Sequence, residues 1–345
     1  MTSIYSIRRL SAAFSSVLLP LLVAAGCSKE TLDGAEAVEC VLTLPSGAET
    51  RTEYRPGSWV SGSFSLIDWV EGDRVRLYSP EAATSGGDHF SDFTASPMKG
   101  DRTRSSLFTR YNLNWRDNGE HSFYGLYPAP VSDNASALLA GLYGRFTFAI
   151  PAVIADGQQM RYAVMAGAAE GILRKEDGPV VIPFYPAFSS FEIMLEGIGD
   201  RIFYLNEVSI ESSDPAGEPL SGTLSFRAQD GLPTIEGFSG TGASVTVAFG
   251  GDGIALKGGL STTALLITLP VNLTAATLVI KRTYDGEMST FRLPLKKDGT
   301  WVQFPAFGRH RITGVVSPEA TDLITVNSNT VDWNRLPDIN TDVLP

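Results

Sequence analysis

Short runs in which apolar and polar residues alternate recur along this chain from Val38 onward, and this period of two restricts the fold more than any other feature. Phe146, Phe148 and Ile150 alternate with Arg145, Thr147 and Ala149. Phe191, Ile193 and Leu195 alternate with Glu192, Met194 and Glu196, and Val245, Val247 and Phe249 with Thr246 and Ala248. One apolar face at every second residue is the pattern of a half-buried strand. Between the runs stand Asn118-Gly119, Asp230-Gly231, Asp252-Gly253, Asp285-Gly286 and Asp298-Gly299. Asp tolerates positive φ and Gly adopts it freely, so such pairs close hairpins. Asp285-Gly286 predicts a two-residue turn with Tyr284 opposite Glu287. In that register Ile280 faces Phe291 and Leu278 faces Leu293 on a core side. Val279 faces Arg292 and Lys281 faces Thr290 on a wetter side. Val131–Leu142 and Asp156–Gly171 are rich in Ala and Gly and lack good caps, so each is expected to hold no more than a short helix or turn. The pattern predicts an all-β chain of sandwiches.

The first residues carry a different signal. Arg8 and Arg9 precede an uncharged, mostly apolar run from Leu10 to Ala25, which ends in Ala24-Ala25-Gly26-Cys27. A positive start, an apolar centre and a small-residue end mark a secretory signal. The run is shorter than the ~20 residues of a membrane-spanning helix, and Pro20 interrupts it. A cysteine directly after Gly26 points to cleavage between Gly26 and Cys27, with Cys27 acylated as the first residue of a lipoprotein. An ordinary signal peptide with a chance cysteine is the alternative.

Removing residues 1–26 takes away two Arg and no acid, leaving 25 basic against 38 acidic residues, a net charge of −13. Nucleic-acid binding calls for clustered Lys and Arg, so nucleic acid is excluded as a partner. With Cys27 acylated, Cys40 is the one remaining cysteine and no intrachain disulfide can form. The remaining length suggests two domains. The expected divisions are a signal peptide at 1–26, a lipidated tether at 27–37, an N-terminal sandwich at 38–177 and a C-terminal sandwich at 178–345. The last boundary follows Lys175-Glu176-Asp177-Gly178-Pro179, ahead of the apolar run Val180-Val181-Ile182.

Nothing in the chain reads as catalytic machinery. His89, His121 and His310 are far apart and not in metal-ligand spacing, and each reads as a surface or strand-edge residue. There is no G-x-S-x-G elbow. The Gly-rich stretches around Gly237 and Gly250 lack the following helix and Lys-Ser/Thr of a phosphate loop. No enzyme activity, metal or cofactor is expected. Among the tryptophans, Trp69 and Trp333 read as core, whereas Trp59 and Trp115 lie in polar surroundings that would suit a binding surface.

A set of short cues, in order, resembles the fimbrillin-family lipoproteins of the Bacteroidia, the subunits of type V pili. Trp69-Val70-Glu71-Gly72-Asp73 and the following Arg74-Val75-Arg76-Leu77-Tyr78 resemble the family's W-x-x-G-D and strand. Phe123-Tyr124-Gly125-Leu126-Tyr127-Pro128 is similar to its aromatic strand end. Phe146 to Pro151 with Gln158-Gln159, Tyr162 to Gly167, Phe184 to Phe191, Phe304-Pro305-Ala306-Phe307 and Asp332-Trp333 continue the series. One departure is Pro186, where the family often has His.

The resemblance implies two transthyretin-like β-sandwich domains in tandem after a lipoprotein signal peptide. It implies a stalk, tip or anchor subunit of a fimbria on the outer membrane, surface-exposed and held through its lipid anchor. Its partners would be other pilus subunits and, for an adhesive subunit, a host or bacterial surface glycan or protein. Assembly would follow a cut after an Arg near the N-terminus, which frees the first strand for replacement by a strand of the next subunit. Here Val38, Cys40, Leu42 and Leu44 make the apolar face of that first strand. Arg51 is the expected cut site, because Arg55 precedes Pro56. Leu323–Val331 and Ile339–Val343 are candidate donors. A glycan- or ligand-binding outer-membrane lipoprotein that never polymerises is the alternative.

Overall fold

A computed structural model of the chain describes residues 37–43, 69, 72–82, 89–96, 105–129, 144–174, 179–318 and 321–327. These residues are almost entirely β. The sequence-predicted sites Gly26, Cys27, Leu44 and Arg51 lie outside them, as do Trp59, Trp333, Val131–Leu142 and Ile339–Val343.

The first strands are β1 (Ala37–Thr43), β2 (Arg74–Tyr78), β3 (Phe90–Ser96), β4 (Ser105–Asn114) and β5 (Glu120–Tyr127). Next come β6 (Arg145–Ile150), β7 (Val153–Ala155), β8 (Met165–Leu173) and β9 (Val180–Pro186), with a 3-10 turn at Gln159–Tyr162. Seven of them close into a barrel in the order β1-β4-β3-β2-β5-β8-β9. Closure removes the edge strands that an open sheet leaves exposed. Asp156–Gly171 thus holds one short helical turn, as the sequence allows, and then enters a strand. The apolar run Val180-Val181-Ile182 joins this barrel, pairing with β1 and β8.

The chain continues through β10 (Ser189–Gly197), β11 (Phe203–Ser212), β12 (Ser221–Arg227), β13 (Thr234–Gly242), β14 (Ser244–Ala248), β15 (Ile254–Leu256) and β16 (Ser261–Thr268). It ends with β17 (Ala276–Tyr284), β18 (Glu287–Pro294), β19 (Lys296–Lys297), β20 (Thr300–Trp301), β21 (Arg309–Val316) and β22 (Thr321–Asn327). Three larger sheets follow the orders β16-β10-β21-β22, β18-β17-β11-β14-β7 with β15 on β11, and β13-β12-β6. Two strands that precede β8 in the chain therefore pair among the later ones. β6 lies antiparallel to β12 with Phe148 opposite Leu224, and β7 lies parallel to β14. Phe146 and Phe226 are cross-strand partners whose rings lie 5.8 Å apart in the core.

The β17–β18 hairpin has the expected register, with Tyr284 opposite Glu287, Ile280 opposite Phe291 and Leu278 opposite Leu293. Asp285 and Gly286 have φ of 49° and 80°, as a type I′ turn requires. Leu278 and Ile280 are fully buried, but Phe291 and Leu293 are only half-buried because β18 is the edge strand. Val279, expected on the wetter side, is buried at 4% exposure. Arg282 is buried as well, with its guanidinium 3.7 Å from the Phe291 ring centre.

Candidate functional site

β1 occupies a slot in the barrel wall between β4 and β9. It runs antiparallel to β4, with Cys40 opposite Phe108 and Leu42 opposite Ser106. It runs parallel to β9, with Cys40 beside Val180 and Leu42 beside Ile182. All other pairings of this barrel are antiparallel. Val38, Cys40 and Leu42 are completely buried, while Glu39 is exposed. The predicted inner face is thus the observed one for the three residues described. Burying Val or Leu stabilises by roughly 1.5–3 kcal/mol each, so β1 is held by apolar burial in addition to two hydrogen-bonded flanks. Burial pushes the Cys40 thiol pKa far up, and Glu39 adds to the shift. The thiol is therefore neutral and inert in place.

Trp69 links the slot to the barrel interior. Its indole N–H donates to the Leu42 carbonyl at 3.0 Å. The ring is fully buried and meets Tyr127 edge-on at 5.3 Å and Phe184 edge-on at 5.8 Å. Tyr127 in turn donates its hydroxyl to Asp73 at 3.2 Å. Room for the Phe184 ring comes from Gly125 on β5 and Gly167 on β8, which are direct cross-strand partners. A Cβ at either position would run into that ring. The sequence marks Trp69 as core and both Trp69 and Asp73 through the W-x-x-G-D cue, but does not pair them with Phe184 and Tyr127.

β8 and β9 pair only over Met165–Gly167 and Phe184–Pro186. Beyond that the two strands part around a depression of about 370 Å³ bordered by Trp115, Ile172, Leu173 and Val180. Trp115 is buried, at 8% exposure, which corrects the expectation of a binding-surface tryptophan. Its ring packs on His121 at 4.9 Å and Phe123 at 5.5 Å. Polar neighbours in sequence had suggested a surface place for it, whereas aromatic neighbours in space decide its burial.

Two histidines also differ from expectation. His121 is fully buried beside Trp115 and Phe123, with Nδ1 2.9 Å from the Gly119 carbonyl. His310 is 1% exposed and packs on Phe191 and Phe304 at 4.9 and 5.1 Å. Burial lowers its pKa to about 4, against a weaker opposing pull from its hydrogen bond to the Pro305 carbonyl. His89 is half-buried, at φ 54°, with Nδ1 3.0 Å from the Ala82 carbonyl. Beside His310, the buried Arg309 pairs with the buried Glu192 at 3.0 Å. Burial raises the Glu192 pKa, and the charge of Arg309 opposes that shift. Among the described residues, no group of three or more His, Cys, Asp or Glu is placed to hold a metal ion.

At the other end of the chain, β22 lies antiparallel to β21, with Val326 opposite Ile312. The part of Leu323–Val331 that is described, through Asn327, is thus already paired within its own chain.

No family model matches this sequence, and no curated protein matches it either. Solved structures do. A "putative cell adhesion protein" from Bacteroides uniformis has a TM-score of 0.50 at 17% identity. The match covers 86% of this chain and 98% of that one. A second protein of the same description, from Bacteroides ovatus, has a TM-score of 0.50 at 14% identity, covering 86% and 99%. The chain shares their fold. At such identities the likeness is one of architecture, over 86% of this chain.

Proposed function

We propose that this chain is a structural or adhesive subunit of a cell-surface fimbria, exported as a lipoprotein acylated on Cys27 and assembled by strand exchange. The observation that carries this reading is the placement of β1. It is the first described strand and fills a slot between β4 and β9 with a wholly apolar inner face. It precedes Arg51 in sequence, so a cut there severs it from the rest of the chain. Removal of such a strand opens the barrel and leaves two unpaired edges, which a strand from another subunit satisfies by main-chain hydrogen bonds and alternate side chains. The likeness in fold to proteins described as cell adhesion proteins agrees with this reading.

Ile339–Val343 is the better candidate donor, because Leu323–Asn327 is already committed to β21. Ile339, Thr341 and Val343 repeat the large, small, large order of Val38, Cys40 and Leu42.

The test compares the wild-type chain with Arg51→Ala after treatment with an Arg-specific protease. Wild type is expected to form SDS-resistant ladders once Arg51 is cut, and Arg51→Ala to remain a monomer. If wild type stays monomeric after a confirmed cut, or retains β1, the polymerising reading fails and a non-polymerising, ligand-binding lipoprotein takes its place.

A further inference from the structure

We propose that Trp69 is a positioning residue of the strand slot: its indole N–H grips the main chain of whichever strand occupies it. The inference rests on the reading of this slot as the exchange site and adds what the slot demands of an occupant.

The contact is between a side-chain donor and a backbone acceptor, Trp69 Nε1 to the Leu42 carbonyl at 3.0 Å, both buried. An indole N–H can only donate, and a buried donor left without an acceptor is costly. The ring that carries the donor is held by the body of the barrel. Tyr127 and Phe184 hold the ring edge-on from two sides. Tyr127 is tied to Asp73, and Phe184 sits over the Gly125–Gly167 pair. Trp69 also follows Arg51 in sequence, so after a cut there it stays with the body while β1 leaves.

Any peptide strand carries a carbonyl at every residue, so this grip takes no account of side chains. What it reads is length and phase. A strand that stops short of the Leu42 position offers no acceptor. A strand shifted by one residue aims its carbonyl the opposite way and also turns its apolar residues out of the barrel. A shift of two residues restores both conditions. The slot therefore accepts extended segments of matching alternation that reach the Trp69 end, whatever their outward-facing residues.

The test uses the full, uncut chain carrying Cys27→Ser, which leaves Cys40 as the one thiol. Trp69 is replaced by benzothienylalanine, which keeps the shape of the ring and lacks the N–H. The readout is the rate at which a small aromatic disulfide modifies Cys40, whose thiol is completely buried while β1 is in place. Loss of the grip is expected to raise that rate about tenfold, with the rise unchanged when Glu39, whose side chain is exposed, is also replaced by Lys. A rise below threefold overturns the proposal, since packing alone is preserved by the isostere. A rise that differs more than threefold between the Glu39 and Lys backgrounds overturns the claim that the main chain is what is read. Trp69→Phe, followed by hydrogen exchange at Val41–Thr43 with Met165–Gly167 as internal reference, gives the same comparison by conventional mutagenesis. No protease or second subunit is involved. A negative result here leaves strand exchange standing, and failure of the cut protein to polymerise leaves the grip on β1 standing.

Discussion

Gly125 and Gly167 face each other across β5 and β8, and together they form the hollow that receives the ring of Phe184. Neither glycine has the positive φ that often explains a Gly in a strand, so space and not backbone conformation is the reason for both. The atoms nearest a methyl group on Gly125 would be side-chain atoms of Phe184 and Leu77. A methyl group on Gly167 would meet the Pro183 carbonyl as well. Overpacking costs about 1–3 kcal/mol. Gly125→Ala should fall within that range and be relieved in part by Phe184→Leu. Gly167→Ala should cost more and not be relieved, because a backbone atom cannot be trimmed. Denaturant unfolding of the three single and two double variants measures this.

The Glu192–Arg309 pair is buried on both sides, at 1% and 4% side-chain exposure. Removing one partner of a buried pair typically costs about 3–5 kcal/mol, and the nearby Arg311 charge, which also favours ionised Glu192, softens the loss of Arg309. Glu192→Leu and Arg309→Met should each destabilise by that order. The double variant should come within about 1–2 kcal/mol of wild type, since replacing both partners by apolar residues is often neutral. A double-mutant cycle from unfolding curves gives the coupling directly. Singles that add without coupling would show that the pair does not act as a unit.

His310 makes folding sensitive to mild acid. Its pKa falls from an ordinary 6.5 to about 4 on folding, because burial disfavours the charged ring. The unfolded chain therefore binds the extra proton between those values, and stability rises with pH across the window. The contribution is complete above pH 6.5 and is lost as pH falls towards 4, reaching roughly 3 kcal/mol. Glu192, raised by burial, acts in the opposite sense. The useful quantity is thus the difference between wild type and His310→Phe. Unfolding free energy measured from pH 7 to pH 4.5 should slope less steeply in the variant, and equal slopes would refute the assignment.

In the β17–β18 turn, Gly286 sits at φ 80° with open space where a Cβ would go. Gly286→Ala should therefore cost only the left-handed backbone penalty, about 1–2 kcal/mol, with no steric addition. Gly286→Val should cost more, because β-branched residues tolerate this region least. Thermal unfolding of both variants distinguishes the two contributions.

The sequence made the hairpin readable because everything that fixes it is local: two turn residues and alternation on either side. The inner face of β1 was readable for the same reason. The place of β1 was not, since its partners Phe108 and Val180 come from distant parts of the chain. Glu192 and Arg309 are 117 residues apart, and nothing near either announces the other. Trp115 and His121 misled because their neighbours Asn114, Arg116, Asp117 and Glu120 are polar, while the rings turn inward onto Phe123. Burial of a residue in a loop or at a strand end depends on what the rest of the chain brings over it.

The short contact between β8 and β9 bears on the strand exchange proposed for the slot. Of β9, only Phe184–Pro186 is paired with β8; Val180–Pro183 pairs with β1 alone. Pro183 has no N–H with which to extend the contact. Half of β9 therefore takes its hydrogen-bonded order from the strand beside it. An emptied slot would not be a rigid channel waiting to be filled, because one of its walls depends on the occupant. In the proposed exchange, arrival of a new strand and ordering of that wall would be one coupled event of folding on binding.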